Sequence, residues 1–440
     1  MTNHRIRLLL GILALVLALA PVARAGERET ANASAADVAA AWFNLLYDVV
    51  KQEGYTPPVA SRIYGIAGVT LYEAVVPGSP EHRSLAGQLN GLASMPQPKP
   101  HPKHHWPTVA NAALGRLLGQ LLSGASATSM TAIEGLETRF ADGFRDELPR
   151  PEFVRSVEQG QAVADTLLNW AAGDGFTTLN NCPFTPPAGP GLWVPTPPGF
   201  APNPLQPCWG DLRPFVLTSG ATCAPPPPPM YSVDAASPFY MIAREVDETV
   251  NSLTPEQKTI ALYWADGPGA TGTPGGHWIS IVAQITQRDE LSLAAAAEAF
   301  ARVGIAVADA FISCWDTKYT YNLLRPLTYI RNLIDPVWSA FLVTPAFPEY
   351  TSGHSVQSAA AATVLTDMFG VKAFTDTVNI DHGLVPAQAP RSFASFAEAA
   401  QEAAISRLYG GIHFRAAIEA GLQQGSCVGQ RILNSVRFGR

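Results

Sequence analysis

Lys318-Tyr-Thr-Tyr-Asn-Leu-Leu-Arg325-Pro326, Phe347-Pro-Glu-Tyr-Thr351-Ser352-Gly353-His354 and Ser406-Arg407-Leu-Tyr-Gly-Gly-Ile-His413 are three islands in the stretch from Asp316 to His413. Together they hold one lysine, two arginines, a Ser-Gly pair and two histidines, a set that suits one tetrahedral oxyanion. Lys318 and Arg325 are seven residues apart, about two helical turns and roughly 10 Å, so on a continuous helix they leave the same face. The second island reads as a loop entering the helical run Ser355 to Met368, where free backbone N–H groups favour an anion. The third lies in a helical stretch interrupted by Gly410 and Gly411; Arg407 adds a fixed cation and His413 a ring nitrogen.

Each island alone is a weak signal, and their combination in this order is a strong one. Taken together they resemble the pattern K-x6-R-P, P-S-G-H, S-R-x5-H of vanadium-dependent haloperoxidases and type 2 phosphatidic acid phosphatases, with Thr351 where many members carry Pro. The resemblance implies an all-α helical bundle. It also implies a cage in which Lys318, Arg325, Arg407, the Ser352 hydroxyl and the Gly353 N–H hold vanadate or phosphate, with His413 facing the central atom. His354, of a residue type that titrates near neutrality, becomes the proton carrier.

Two chemistries fit such a cage. In a haloperoxidase, His413 ligates vanadium(V), His354 handles the proton of hydrogen peroxide and Lys318 polarises the peroxide. A halide then attacks, and a hypohalous acid equivalent passes to a small organic acceptor. In an exported acid phosphatase, His413 becomes a phosphohistidine and His354 protonates the leaving oxygen. Trp315, one turn before Lys318, and Phe347, seven residues before His354, match aromatic residues that shape the halide side of the pocket in some haloperoxidases. They favour the first chemistry, with iodide the most easily oxidised halide and bromide next. A third reading, from a different class, is a non-catalytic module that binds an oxyanion.

The likeness extends upstream. Trp193-Val-Pro-Thr-Pro-Pro, Trp209-Gly-Asp-Leu-Arg213-Pro-Phe215, Asp266-Gly-Pro-Gly and Gly276-His277-Trp278 resemble segments of the bacterial haloperoxidases. Asp266 is a candidate carboxylate for orienting a site cation, with a helix cap as the plainer alternative, and His277 reads as structural. The run Gly267-x-Gly269-x-x-Gly272 matches a dinucleotide fingerprint letter for letter but follows a helix, where the fingerprint needs a strand.

With 440 residues, 47% of them hydrophobic, the chain can build a sizeable core. Met1 to Ala25 reads as a secretory signal: Arg5 and Arg7 precede the apolar run Leu8 to Ala20, and Ala23-Arg24-Ala25 suits cleavage. No later stretch reads as long and apolar enough to span a bilayer, so a soluble exported protein, periplasmic or secreted, is expected. Losing the leader removes three arginines from a chain already at net −7, which argues against nucleic acid or anionic membrane as partner. Cys182, Cys208, Cys223, Cys314 and Cys427 contain no C-x-x-C pair, so zinc is poorly supported, whereas export permits a disulfide. A bridge between two of Cys182, Cys208 and Cys223 is expected.

The leader is followed by an N-terminal helical part, 26–180, with apolar residues three and four apart in Val38-Ala-Ala-Ala-Trp42-Phe-Asn-Leu45-Leu46. His101, His104 and His105 fall in a Pro-rich link that reads as a solvated loop. Residues 181–235 are crowded with proline and interleaved with Trp193, Phe200, Trp209 and Phe215, too apolar for a disordered spacer, so they read as an ordered cover. Residues 236–440 form the catalytic bundle, and 26–440 is expected to pack as one unit. There Thr254-Pro-Glu-Gln257 opens a helix, Leu291 to Leu324 is the longest, and Gly353–Phe369, Ser392–Tyr409 and Phe414–Val436 follow.

Overall fold

The computed structural model describes residues 30–98 and 103–440; the leader Met1 to Ala25 and His101 lie outside them. Helices dominate. The first five are α1 (Asp37–Glu53), α2 (Pro57–Val75), α3 (Trp106–Leu121), α4 (Ala127–Glu147) and α5 (Arg150–Ala172), followed by the single turn α6 (Phe176–Leu179). His105 is not solvated as expected: it precedes α3, is buried, and meets Thr108 Oγ1 at 2.7 Å through Nδ1. One described segment, Pro57–Gly78, has the length and hydropathy of a membrane span, contrary to the sequence expectation. With 94% of its window buried, it is a core helix.

The second half contains α7 (Pro238–Asn251), α8 (Pro255–Tyr263), α9 (Thr273–Arg288), α10 (Leu293–Tyr321), α11 (Pro326–Leu333) and α12 (Gly353–Phe369). The short α13 (Val378–Asp381) sits between strands β1 (Phe374–Asp376) and β2 (Arg391–Phe393), and α14 (Phe396–Tyr409) and α15 (Arg415–Ser435) complete the chain. The antiparallel pairing of β1 with β2, Thr375 opposite Ser392, takes the residues expected to begin the Ser392–Tyr409 helix; Ser395 caps α14 instead. The α8 start follows the sequence: Thr254 accepts from Gln257 N–H in a reciprocal capping box, with Pro255 in the first turn.

Lys318 and Arg325 do not share a helix. Asn322 takes a left-handed φ of 46° and ends α10, and Arg325, held extended by the following Pro326, is the N-cap of α11. The two side chains converge because the chain turns between them, and helical spacing has no part in it.

One large apolar core runs from Ala31 to Phe438 and a smaller one from Phe239 to Ile418. Trp315 belongs to the first and Leu323 to the second, so Lys318 lies where the chain crosses between them. Two close helix contacts set this arrangement. Where α2 crosses α10, a Cβ on Gly304 would come within 2.8 Å of the Tyr64 carbonyl; where α15 backs α12, a Cβ on Gly425 would overlap the Val356 carbonyl, at 2.0 Å. Both crossings therefore need glycine.

The Pro-rich segment is an ordered cover. Trp193, Trp209 and Phe215 are buried, while Phe200 is 60% exposed and adds nothing to the core. Asp309 on α10 accepts N–H groups from Phe215, Val216 and Leu217 at 2.7, 2.9 and 3.0 Å. Leu192 bridges Leu323, and the Leu205 carbonyl accepts from the Trp315 indole at 3.2 Å and the Tyr319 hydroxyl at 2.5 Å. Cys182–Cys208 closes the cover on itself, and Cys223–Cys427, not foreseen, ties it to α15; Cys314 is free and buried.

Candidate active site

The three islands meet. Lys318 comes from the end of α10, Arg325 from the cap of α11, Ser352 to His354 from the start of α12, Arg407 from the end of α14, and His413 from the turn before α15. Lys318, Arg325, Ser352, Arg407 and His413 are buried, whereas Phe347, Gly353 and His354 keep partial exposure. Clefts of 380 and 590 Å³ lie along α9 and include none of these side chains.

Burial of cations dominates the electrostatics. Desolvation lowers Lys318 to about 7 and both Arg325 and Arg407 to about 10, because the nearby anionic charge is too little to offset it. Arg325 donates from Nε to the Phe347 carbonyl at 2.8 Å and from Nη1 to the Ile412 carbonyl at 2.9 Å, while its Nη2 is buried with no partner. Arg407 reaches Ser406 Oγ at 3.1 Å and the Ala261 carbonyl at 3.3 Å. Lys318 directs its ammonium at three carbonyls, Pro348 at 2.9 Å, Glu349 at 3.0 Å and Thr351 at 2.5 Å, which commits all its N–H donors. It therefore braces the loop into α12 and contributes charge; direct N–H contact with a ligand, as read from the sequence, would require it to leave a carbonyl.

His413 is held by a residue that the sequence reading passed over. Glu349 Oε1 accepts from His413 Nδ1 at 2.8 Å and from the Phe414 N–H at 2.9 Å. Burial, then Arg325, Lys318 and Arg407, push His413 well below the usual histidine range, so the ring is neutral. With its proton on Nδ1, the Nε2 lone pair faces Arg325 Nη1 at 3.2 Å. A carboxylate behind the far nitrogen is the usual support of a metal-ligating histidine. The available signal was a lone Glu within an island otherwise built for an anion.

Burial and Arg407 also push His354 well down, a hydrogen bond to the Trp264 backbone partly offsets this, and Nε2 has no partner. Ser352 caps α12, accepting from Ser355 N–H at 3.4 Å, which leaves its own O–H free to donate. The helix start presents the N–H of Gly353, one of those that lack an intrahelical acceptor. Trp315 and Phe347 form a wall, ring centroids 5.0 Å apart, and Lys318 Nζ lies 5.1 Å from the Phe347 centroid.

Asp266 does not cap a helix, and its partner is not a site arginine. It directs both oxygens at His277 Nδ1, at 3.2 and 3.0 Å, while His277 Nε2 meets Asp376 Oδ2 at 2.7 Å. Burial alone would lower His277, but the two carboxylates outweigh it and hold the ring at about 10. Arg407 feels the Asp266 charge.

Known proteins align with this arrangement. A family model described as the VCPO second helical-bundle domain matches residues 298–337 and 333–438. The crystal structure of the first bacterial vanadium-dependent iodoperoxidase superposes with a TM-score of 0.85 at 37% identity, covering 92% of this chain and 97% of that one. A holo-type bacterial vanadium-dependent chloroperoxidase shares the fold, with a TM-score of 0.66 at 14% identity over 87% of this chain and 94% of that one. The vanadium chloroperoxidase of Curvularia inaequalis is 28% identical over 220 residues, 37% of this chain; the matched part is 36% of that protein's length.

Proposed function

The chain belongs to the vanadium-dependent haloperoxidase family, and from that premise we propose that it oxidises halide with hydrogen peroxide, iodide first and bromide second, to a hypohalous acid equivalent. The observation that carries this reading is the charge imbalance of the interior. Lys318 and Arg325 are buried beside Glu349, whose Oε1 is already taken by His413 and Phe414; Arg407 is buried with Asp266 as its anionic neighbour, a carboxylate that His277 already engages, and Arg325 Nη2 has no acceptor. Leaving a buried charge unpaired costs several kcal/mol. A tetrahedral oxyanion would supply both the missing charge and the missing acceptor. The iodoperoxidase likeness over nearly the full length of that relative supports iodide.

The residues fit vanadate. Arg325, Arg407, the Ser352 hydroxyl and the Gly353 N–H would hold its oxygens, and His413 Nε2 would ligate the metal. When bound, vanadium(V) supplies Lewis-acid activation of peroxide without a change of oxidation state. Glu349 keeps His413 in the tautomer whose Nε2 carries a lone pair, which meets Arg325 Nη1 until a ligand takes it. His354, neutral and with Nε2 unpartnered, accepts the proton of incoming peroxide and returns it. Lys318 adds its field from behind the loop, and the Trp315–Phe347 wall borders the halide. Small organic acceptors meet the product at the partly exposed Phe347 side. We also propose export, supported by two disulfides of the kind that persist in oxidising compartments.

The test is a halide panel with and without vanadate. Apo-protein supplied with vanadate should gain peroxide-dependent iodide oxidation, phosphate should compete, and vanadate at about 100 times its Kd should stabilise the fold by about 2.7 kcal/mol in a thermal shift. Release of phosphate from a monoester, with vanadate acting only as inhibitor, would establish the phosphatase instead. Tight oxyanion binding without either activity would mean a binding module. Glu349→Gln should weaken vanadate retention about 10–100-fold in equilibrium dialysis, because the His413 tautomer is no longer held by charge. Unchanged affinity in that variant would show that Glu349 only packs.

A further inference from the structure

We propose that His277 is a positioning residue for His354 and Arg407: an imidazolium clamped between Asp266 and Asp376 that fixes the end of α8. The inference deepens the haloperoxidase reading and rests on His354 carrying the proton in it. His277 Nδ1 faces Asp266 and Nε2 faces Asp376, at 3.0 and 2.7 Å, with all three side chains out of solvent. A neutral imidazole has one N–H, so one of these contacts would set a lone pair against a carboxylate; the doubly protonated ring satisfies both. The ring also stacks on Trp264, centroids 4.3 Å apart at 21°, a cation lying on an indole face.

The clamp is itself anchored. Asp376 Oδ1 accepts from Val378 N–H at 3.0 Å and Gln284 Nε2 at 3.3 Å, and the Asp376 carbonyl accepts from the Tyr263 hydroxyl at 3.1 Å. Tyr263, Trp264 and Asp266, at the end of α8, therefore all bear on this ion triad. The same end of α8 holds the site: the Ala261 carbonyl accepts from Arg407 Nη2, and the Trp264 backbone holds the His354 ring. The backbone gives a second, independent observation. Asp266 and Thr273, flanking the α8–α9 loop, sit at φ 45° and 68° although glycines stand nearby in the same loop. Such angles are strained for residues with a Cβ and persist where the surroundings enforce them. The charged groups facing His354 are Arg407, Lys318 and His277, and the titratable His413 ring lies near it as a neutral group.

In the vanadate-loaded enzyme, His277→Gln and Asp376→Asn should lower kcat about 10–100-fold while the halide KM holds, should weaken vanadate retention through Arg407, and should shift the pH profile of kcat. A filler of space would not move that profile. Variants that keep the wild-type kcat and pH profile overturn the proposal. Should they fail to fold, the wild type decides: nitrogen-15 NMR should show both His277 nitrogens protonated from about pH 5 to about pH 9, and a neutral tautomer near pH 7 overturns it. Because that signal is read without turnover, a wild type inactive on halide would sink the haloperoxidase reading alone.

Discussion

His354→Ala should lower peroxide-dependent halide oxidation about 10²–10⁴-fold, the range a positioned acid–base group contributes. Vanadate retention should stay close to wild type. The split follows from the proposed roles: Arg325, Arg407, Ser352, Gly353 and His413 would hold the vanadate, whereas His354, with an unpartnered Nε2, would carry the proton without holding the group. Burial and the neighbouring cations keep the ring neutral before an oxyanion binds, and an arriving negative charge opposes that downward shift. Steady-state kinetics alongside equilibrium dialysis separate the two effects. Full turnover in the variant would remove His354 from the reaction, and lost vanadate binding would make it part of the cage.

Replacing both Cys223 and Cys427 by Ala should cost about 3–5 kcal/mol of unfolding free energy, measured in urea. The bridge spans a sequence separation of 204, against 26 for Cys182–Cys208. A longer loop releases more chain entropy when the bond is absent. The Cys182/Cys208 double variant should therefore lose less, about 3 kcal/mol. A larger loss from the short loop would mean that local packing of the cover, and not the constraint on the unfolded chain, sets the effect.

The site was legible where function forces residue types into order. The islands, the α8 capping box, the start of α12 and the Pro-rich cover could be read because each depends on local chemistry: a cap, a proline, a run of cations. What the sequence hid is what depends on long-range meeting. Glu349 is an ordinary loop glutamate until His413, 64 residues on, supplies its partner. The ion triad at His277 was hidden because its second carboxylate, Asp376, is 99 residues away. The shared helix expected for Lys318 and Arg325 failed because Asn322 adopts a left-handed angle, which asparagine tolerates but does not announce. The β1–β2 pair escaped because three-residue strands are too short to show alternation.

The contacts reaching into the last third of the chain also bear on how such a catalyst can be rearranged. Cut away everything before residue 298, and Arg407 would lose the Ala261 oxygen, His354 the Trp264 backbone, and α10 the Tyr64 and Gly65 backbone that packs against its Gly304. The region that bears the recognisable letters is thus not a portable cassette. Grafting it onto another scaffold would carry over the vocabulary and leave the grammar behind.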